Sequence, residues 1–244
     1  MILIVDGNEM LYKSLFVQRK NSEMPIAYFL LRQLFKYITM FNPDKIYIAA
    51  DGGKSWRKGI YPEYKANRKV FRDKYEDIAW EDIFENYTTL LEDIQKYSPI
   101  YTAHIRNIEG DDIISYVCRY NSEQVTVISQ DKDLHQLLLL PNVQIYSTRK
   151  KGFVERDEQI PLIVSEKVKK GDKSDNIPKA LTFLDTIRNE ILVDLINLPI
   201  SIDAAIRSHL DKIHKDEKNY QTFLTLYQYK FLPEVYNKLI RKEK

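Results

Sequence analysis

Three short apolar runs punctuate the first half of the chain, and each stops at a carboxylate. Ile2-Leu3-Ile4-Val5 meets Asp6, Ile46-Tyr47-Ile48-Ala49-Ala50 meets Asp51, and Val125-Thr126-Val127-Ile128-Ser129 stops just before Asp131. Continuous β-branched runs, without alternation, fit parallel strands covered on both faces. Between the first two, Ile26, Phe29, Leu30, Leu34, Tyr37, Ile38 and Phe41 recur at helical spacing behind Pro25, a first-turn proline. Strand, helix, strand predicts a right-handed βαβ unit.

Beyond Asp51 the periodicity fades. Residues 54–72 predict an irregular or partly helical excursion off the sheet, and a long helix over about 75–97 brings the chain back. A short strand near 100–103 and a helix opening at Gly110 lead to the Val125 strand. A Leu134–Leu140 helix is expected next, then a ribbon of Val143–Ser147 and Phe153–Val154 around the polar Thr148–Gly152 turn. From Ile160 the pattern is helical, with candidates at 185–197, 202–214 and 220–232. Tyr220, Phe223, Tyr227, Tyr229 and Phe231 read as core. The expected organisation is an α/β core over 1–160, including an excursion at about 54–97, and a helical region over 161–244.

Composition narrows the class. Of 244 residues, 44% are hydrophobic and 30% charged, an ordinary globular balance. One cysteine, Cys118, excludes a disulfide scaffold, and its apolar surroundings make it a reduced core thiol. No apolar run approaches the roughly 18 residues of a membrane span. The Ile2–Val5 run lacks the length and basic flank of a signal peptide, so a cytoplasmic protein is expected. The formal net charge of +2 hides segregated blocks. Residues 54–74 hold eight Lys/Arg against Glu63 and Asp73, whereas residues 76–96 hold seven acids and Lys96.

The predicted chemistry lies at the strand ends, where open parallel sheets place their ligands. Asp6, Asp51, the Glu109-Gly110-Asp111-Asp112 group, the Asp131/Asp133 pair and the Asp172/Asp175 pair make nine carboxylates in five clusters. Any one of them could cap a helix. Nine converging acids repel and raise one another's pKa unless cations neutralise them. Oxygen-only donors select Mg²⁺ or Mn²⁺, and two such ions suit in-line phosphodiester hydrolysis.

The motifs, taken in order, resemble the 5′-nuclease superfamily. They are Ile4-Val5-Asp6-Gly7-Asn8, Trp56-Arg57 with Tyr61-Pro62-Glu63-Tyr64-Lys65-Ala66-Asn67-Arg68, Glu109-Gly110-Asp111-Asp112-Ile113-Ile114, Ser129-Gln130-Asp131-Lys132-Asp133-Leu134 and Gly171-Asp172-Lys173-Ser174-Asp175-Asn176-Ile177-Pro178. The superfamily includes the 5′→3′ exonuclease domain of DNA polymerase I, phage 5′-exonucleases (some called ribonuclease H) and flap endonucleases. The resemblance implies a PIN-like parallel sheet flanked by helices, with a basic arch segment and a helical C-terminal region. It implies that Asp6, Asp51, Glu109, Asp111 and Asp112 hold a first metal ion and Asp131, Asp133, Asp172 and Asp175 a second. It implies that Lys65 and Arg68 contact the scissile and 5′-terminal phosphates, with Arg57, Tyr64 and Lys69 also at the nucleic acid. The implied substrate is DNA with a 5′ end, flap or junction, with RNA–DNA hybrids as a further class, cut by a monomer without membrane association. The small size looks most like a stand-alone phage enzyme.

One departure stands out. No glycine follows Gly171, so the glycine-rich helix–hairpin–helix turn of most relatives is missing. Lys167, Lys169, Lys170, Lys173 and Lys179 are the candidates to grip duplex phosphates instead. The alternatives are a PIN-type RNA endonuclease and an inactive nucleic-acid-binding module. His104 and His135 tempt as general bases, but carboxylate-bound metals would already lower the pKa of the water, and no histidine belongs to the motifs of the family that the chain resembles.

Overall fold

The acid-terminated runs are strands of one sheet. The computed structural model describes residues 1–21, 23–213, 220–229 and 232, without the side chains of Asn21, Lys69, Phe71, Arg72 and Tyr220. The sheet comprises β1 (Ile2–Asp6), β2 (Lys45–Gly52), β3 (Tyr101–Arg106), β4 (Val125–Ile128), β5 (Val143–Ser147) and β6 (Gly152–Phe153), in the order β3-β2-β1-β4-β5-β6. All neighbours are parallel except β5 and β6. The order reverses direction between β1 and β4, so Asp6 and the loop after β4 flank the switch point where such sheets bind ligands.

The helices are α1 (Gly7–Asn21), α2 (Ile26–Phe41), α3 (Arg68–Asp73), α4 (Trp80–Tyr97), α5 (Gly110–Arg119), α6 (Ile160–Lys170), α7 (Phe183–Val193), α8 (Ile200–Leu210) and α9 (Tyr220–Leu226). Alternation along β1 divides the core. Leu3 and Val5 face a layer built with Leu11, Leu30, Leu34, Leu91 and Phe223, while Ile2 and Ile4 face Ile113, Val117, Cys118 and Ile206. This two-sided burial is why the strand sequences are apolar without alternation.

No loop separates β1 from α1: Asp6 ends one and Gly7 starts the other. A Cβ on Gly7 would lie 2.4 Å from the Tyr87 hydroxyl oxygen and 2.8 Å from the Ala49 carbonyl oxygen. Only glycine lets the strand pass straight into the helix there.

Several boundaries differ from expectation. The returning helix α4 begins at Trp80, with Glu81 and Asp82 in its first turn, and buries Tyr87, Leu90, Leu91 and Ile94 on the sheet. The excursion therefore spans only about 53–79. It consists of a 3₁₀ turn at Trp56–Gly59, tight turns over 62–67, and α3. The Leu134–Leu140 segment is a 3₁₀ helix over Asp133–Leu139. The last helix stops at Leu226, and Phe231 lies outside the described residues. Cys118 is a buried free thiol, and burial pushes its pKa up. Among the described residues no helix is long and apolar enough to cross a membrane.

Candidate active site

Asp6, Asp51, Asp111, Asp131 and Asp133 line one open cleft of about 1380 Å³ at the carboxyl ends of the strands. Lys65 and Arg68 of the excursion line the same cleft. A small cavity of about 20 Å³ lies deeper, walled by Glu109, Asp111, Asp133, Asp172 and Asp175 together with Arg57 and Tyr64. Asp111 faces both spaces. The five acidic clusters therefore converge, although the sequence separates them by as much as 169 positions, from Asp6 to Asp175.

Short local geometry holds each acid. Asp6 accepts from Glu9 N at 2.9 Å and from Ser129 Oγ at 2.9 Å, so it caps the first turn of α1. Asp51 accepts from Gly110 N at 2.8 Å, which ties the end of β2 to the start of α5. Asp131 accepts from Asp133 N at 2.8 Å, while its own N–H donates to Ser129 Oγ at 3.0 Å. Asp172 and Ile177 close the last loop with a pair of backbone bonds. That closure brings Ile177 O within 2.4 Å of where a Gly171 Cβ would be, and Gly171 has φ +77°.

The excursion and the last loop grip each other. Lys65 N donates to Asp175 O at 2.8 Å, and Asn176 Nδ2 donates to Glu63 O at 2.7 Å. Arg68 Nη2 reaches Asp175 Oδ1 at 3.4 Å, with its side chain half exposed at the rim. Lys65 Nζ lies 2.5 Å from Glu109 Oε1 and 3.6 Å from Asp175 Oδ2.

Two residues expected at the nucleic acid are instead buried. Arg57 is 1% exposed; it pairs with Glu109 Oε2 at 2.7 Å and Asp112 Oδ1 at 2.8 Å, and donates to Leu192 O at 3.1 Å. A guanidinium already spent on two buried carboxylates has no fork left for a phosphate. Tyr64 is 2% exposed, with its hydroxyl 3.3 Å from Glu109 Oε2 and 3.2 Å from Asp175 Oδ2. Asp112, expected among the metal ligands, is 0% exposed and also accepts from Trp56 Nε1 at 2.9 Å and from Glu109 N at 3.2 Å. Its oxygens face Arg57 and Trp56 rather than the cleft. Lys167 was a candidate for duplex contact, but its ammonium bridges Asp133 and Asp172, the latter at 2.6 Å. The Lys69 side chain lies outside those described. Of the histidines, His135 lines the cleft and His104 sits elsewhere, beside His209.

Glu9 was missed in the sequence and is central here. Its carboxylate accepts from Ser129 Oγ at 2.9 Å, Gln130 N at 2.5 Å and Thr148 Oγ1 at 2.6 Å, and pairs with Lys13. It joins α1, the loop after β4 and the β5–β6 turn. The one signal available was its position three residues beyond Asp6, on the first turn of the same helix.

Charge separates the acids into two groups. Burial would raise Glu109, but Lys65 and Arg57 outweigh it and hold the carboxyl at about 2. Asp6 is pushed up to about 7 by burial and by the charge of Glu9. Burial and Glu109 raise Asp51; burial, Asp131 and Asp6 raise Asp111 well above the ordinary range. The Asp111 carboxylate has no hydrogen-bond or ion-pair partner among the described residues, and only the more distant charge of Lys65 opposes the rise. Uncompensated carboxylates of this kind, with oxygen as the only donor, fit a hard divalent cation. As they stand, no three His, Cys, Asp or Glu side chains among the described residues surround one point closely enough to hold an ion. The Lys167 ammonium lies between Asp133 and Asp172 and neutralises both.

The raised Asp6 pKa has a measurable consequence. An acid protonated in the folded state up to about pH 7 and ionised in the unfolded chain above about 4 subtracts stability as pH rises through that window. In chelator, the stability of Asp6→Asn relative to the original protein is expected to increase from pH 5 to pH 7.5. Urea midpoints at the two pH values check this; a constant difference would mean that Asp6 titrates normally.

The family whose members are described as 5′-3′ exonuclease, N-terminal resolvase-like domain, matches residues 1–169. The chain belongs to this family. It is 31% identical over 190 residues to a 5′-3′ exonuclease of Mycoplasmopsis pulmonis, covering 72% of this chain and 60% of that protein. It is 33% identical over 194 residues to a 5′-3′ exonuclease of Buchnera aphidicola, covering 72% and 64%. The chain thus spans less than two thirds of the length of these curated relatives. Among solved structures, the phage T5 flap endonuclease in complex with DNA and metal ions superposes with a TM-score of 0.70 at 24% identity, over 87% of this chain and 96% of that one. The sheet and its flanking helices therefore have the expected PIN-like α/β fold.

Proposed function

We propose that the protein is a metal-dependent 5′-nuclease that hydrolyses phosphodiesters near the 5′ end or flap of DNA, leaving 5′-phosphates, in replication or repair. RNA in RNA–DNA hybrids is a further substrate class of the same reading. The observation that carries it is the convergence of Asp6, Asp51, Asp111, Asp131 and Asp133 in one cleft with Lys65 and Arg68 on its wall. Acids alone would repel a polyanion; acids beside two fixed cations suit a bridging arrangement of metal and phosphate.

In this reading Asp6, Asp51 and Asp111 hold one Mg²⁺ or Mn²⁺, and Asp131, Asp133, Asp172 and Asp175 a second. When bound, the ions would supply charge neutralisation and a water of lowered pKa. Glu109 stays ionised and orients Lys65, whose ammonium faces the substrate phosphate. Arg68, at the rim, takes a neighbouring phosphate. Arg57 and Asp112 are positioning residues that fix the α5 N-terminus against the excursion. Lys167 keeps Asp133 and Asp172 together, and a divalent cation held by these acids would supply the neutralisation that its ammonium now gives. Residues 1–160 form the catalytic core and 161–244 the helical region that supplies Asp172 and Asp175. The protein acts as a monomer in the cytoplasm, and a phage gene is its proposed origin.

A 5′-flapped DNA duplex labelled at its 3′ end tests the proposal. Cutting at or near the junction is expected with Mg²⁺ and none with EDTA. Folded protein that cuts neither this substrate nor the matching RNA–DNA hybrid would overturn it.

A further inference from the structure

The turn between β5 and β6 is built more firmly than a surface loop requires. Thr148, its first residue, donates to Glu9 Oε1 at 2.6 Å, and Lys13 bonds both partners. Lys151 N donates to Ser147 O at 2.8 Å, and Lys151 takes the left-handed conformation at φ 54°. Lys150 N reaches Ser147 Oγ at 3.3 Å. The turn is thus fastened to the helix that starts at Asp6.

What the anchor presents is three cations in a row, Arg149, Lys150 and Lys151. None has an acidic partner among the described residues. All three side chains are exposed, so water and salt screen their mutual repulsion and leave them able to meet an anion. Arg149 and Lys150 line the cleft that holds the acids, and Lys132 lines it beside them. Strand order puts them on the far side of the acids from the excursion, which leaves from β2. Lys65 and Arg68 therefore stand on one side of the acids, and Arg149 and Lys150 on the other.

We propose that the Thr148–Lys151 turn is a second phosphate-contacting element, which holds the single-stranded part of the substrate on the side of the acids away from the excursion. The proposal rests on the nuclease reading and adds a binding surface to it. A single strand fits because α1 lines the same cleft with Tyr12 and Phe16. Both rings are half-buried, Tyr12 against Trp80 and Phe16 against Tyr75, and cations near such part-exposed rings suit unpaired bases, which a duplex would hide.

The test is DNA affinity in EDTA, so that it does not depend on cleavage. The double variant Arg149→Gln, Lys150→Gln is compared with a charge-matched control, Lys36→Gln, Lys96→Gln, whose residues do not line the cleft. Binding is followed against salt for a duplex with and without a 5′ single-stranded tail. With the tail, the turn variant is expected to lower the slope of log affinity on log salt by about 1.4, at about 0.7 per single-strand phosphate. Without the tail it should match the control. Equal slopes for both variants on tailed DNA would overturn the proposal, as would an equal loss with and without the tail. Wild-type cleavage of the same flapped DNA with Mg²⁺ is read alongside. Cleavage with coincident slopes removes only the turn's role, whereas absence of cleavage counts against the nuclease reading.

Discussion

Asp111→Asn is expected to slow cleavage of a 5′-flapped duplex by about 10²–10³-fold, the usual cost of losing one preorganised charge at a reacting centre. Asp111 faces both the open cleft and the small acidic cavity. It is a carboxylate at the N-terminus of α5 whose pKa is raised by burial and by Asp131 and Asp6. Asparagine keeps the shape and removes the charge that would draw a divalent ion. DNA affinity should hold or rise, because a negative charge facing a polyanion is gone. Thermal unfolding should hold or improve, because a repelled buried charge is gone. Single-turnover cleavage, anisotropy and calorimetry read the three quantities. A rate within tenfold of the original would remove Asp111 from the catalytic set.

Arg57→Ala is expected to destabilise the fold by about 3–5 kcal/mol, the range for breaking a buried ion pair from one side. The deletion strands Glu109 and Asp112 together without their shared cation and frees Leu192 O. Urea unfolding measures the loss. The sequence motif placed Arg57 at the nucleic acid, and that role makes the opposite prediction. A phosphate contact would weaken DNA binding and its salt dependence while leaving stability nearly unchanged, and that result would overturn the burial-based assignment.

The gap between motif and role follows from chemistry. Asp111 and Asp112 are adjacent and equivalent in a sequence pattern. On α5 they point about 100° apart, so one meets the cleft and the other meets Arg57. Lys65 and Lys167 likewise stand in the sequence only as candidate phosphate contacts. Both prove to be cations inserted between acids, each within reach of two carboxylates. Glu9 carried no motif at all, because its partners Ser129, Gln130 and Thr148 lie more than a hundred positions away.

The boundaries that shifted have a similar cause. Tyr75-Glu76-Asp77-Ile78 repeats the aromatic, acid, acid, apolar order of Trp80-Glu81-Asp82-Ile83, so the pattern alone extended the helix to it. Packing on the sheet decides where a helix is stable: Tyr87, Leu90, Leu91 and Ile94 are the buried face of α4, and Ile78 buries ahead of the helix without joining it.

By itself the sequence determined the strands, the acids at their ends and the basic excursion between β2 and α4. Those follow from local rules: apolar runs covered on two faces, glycine where backbone must pass close, charge blocks that cannot be buried unpaired. Only the tertiary structure decided which charges face the cleft and which neutralise one another beneath it. That choice depends on distances between residues remote in the chain, and electrostatic energy in a poorly solvated site changes steeply with those distances.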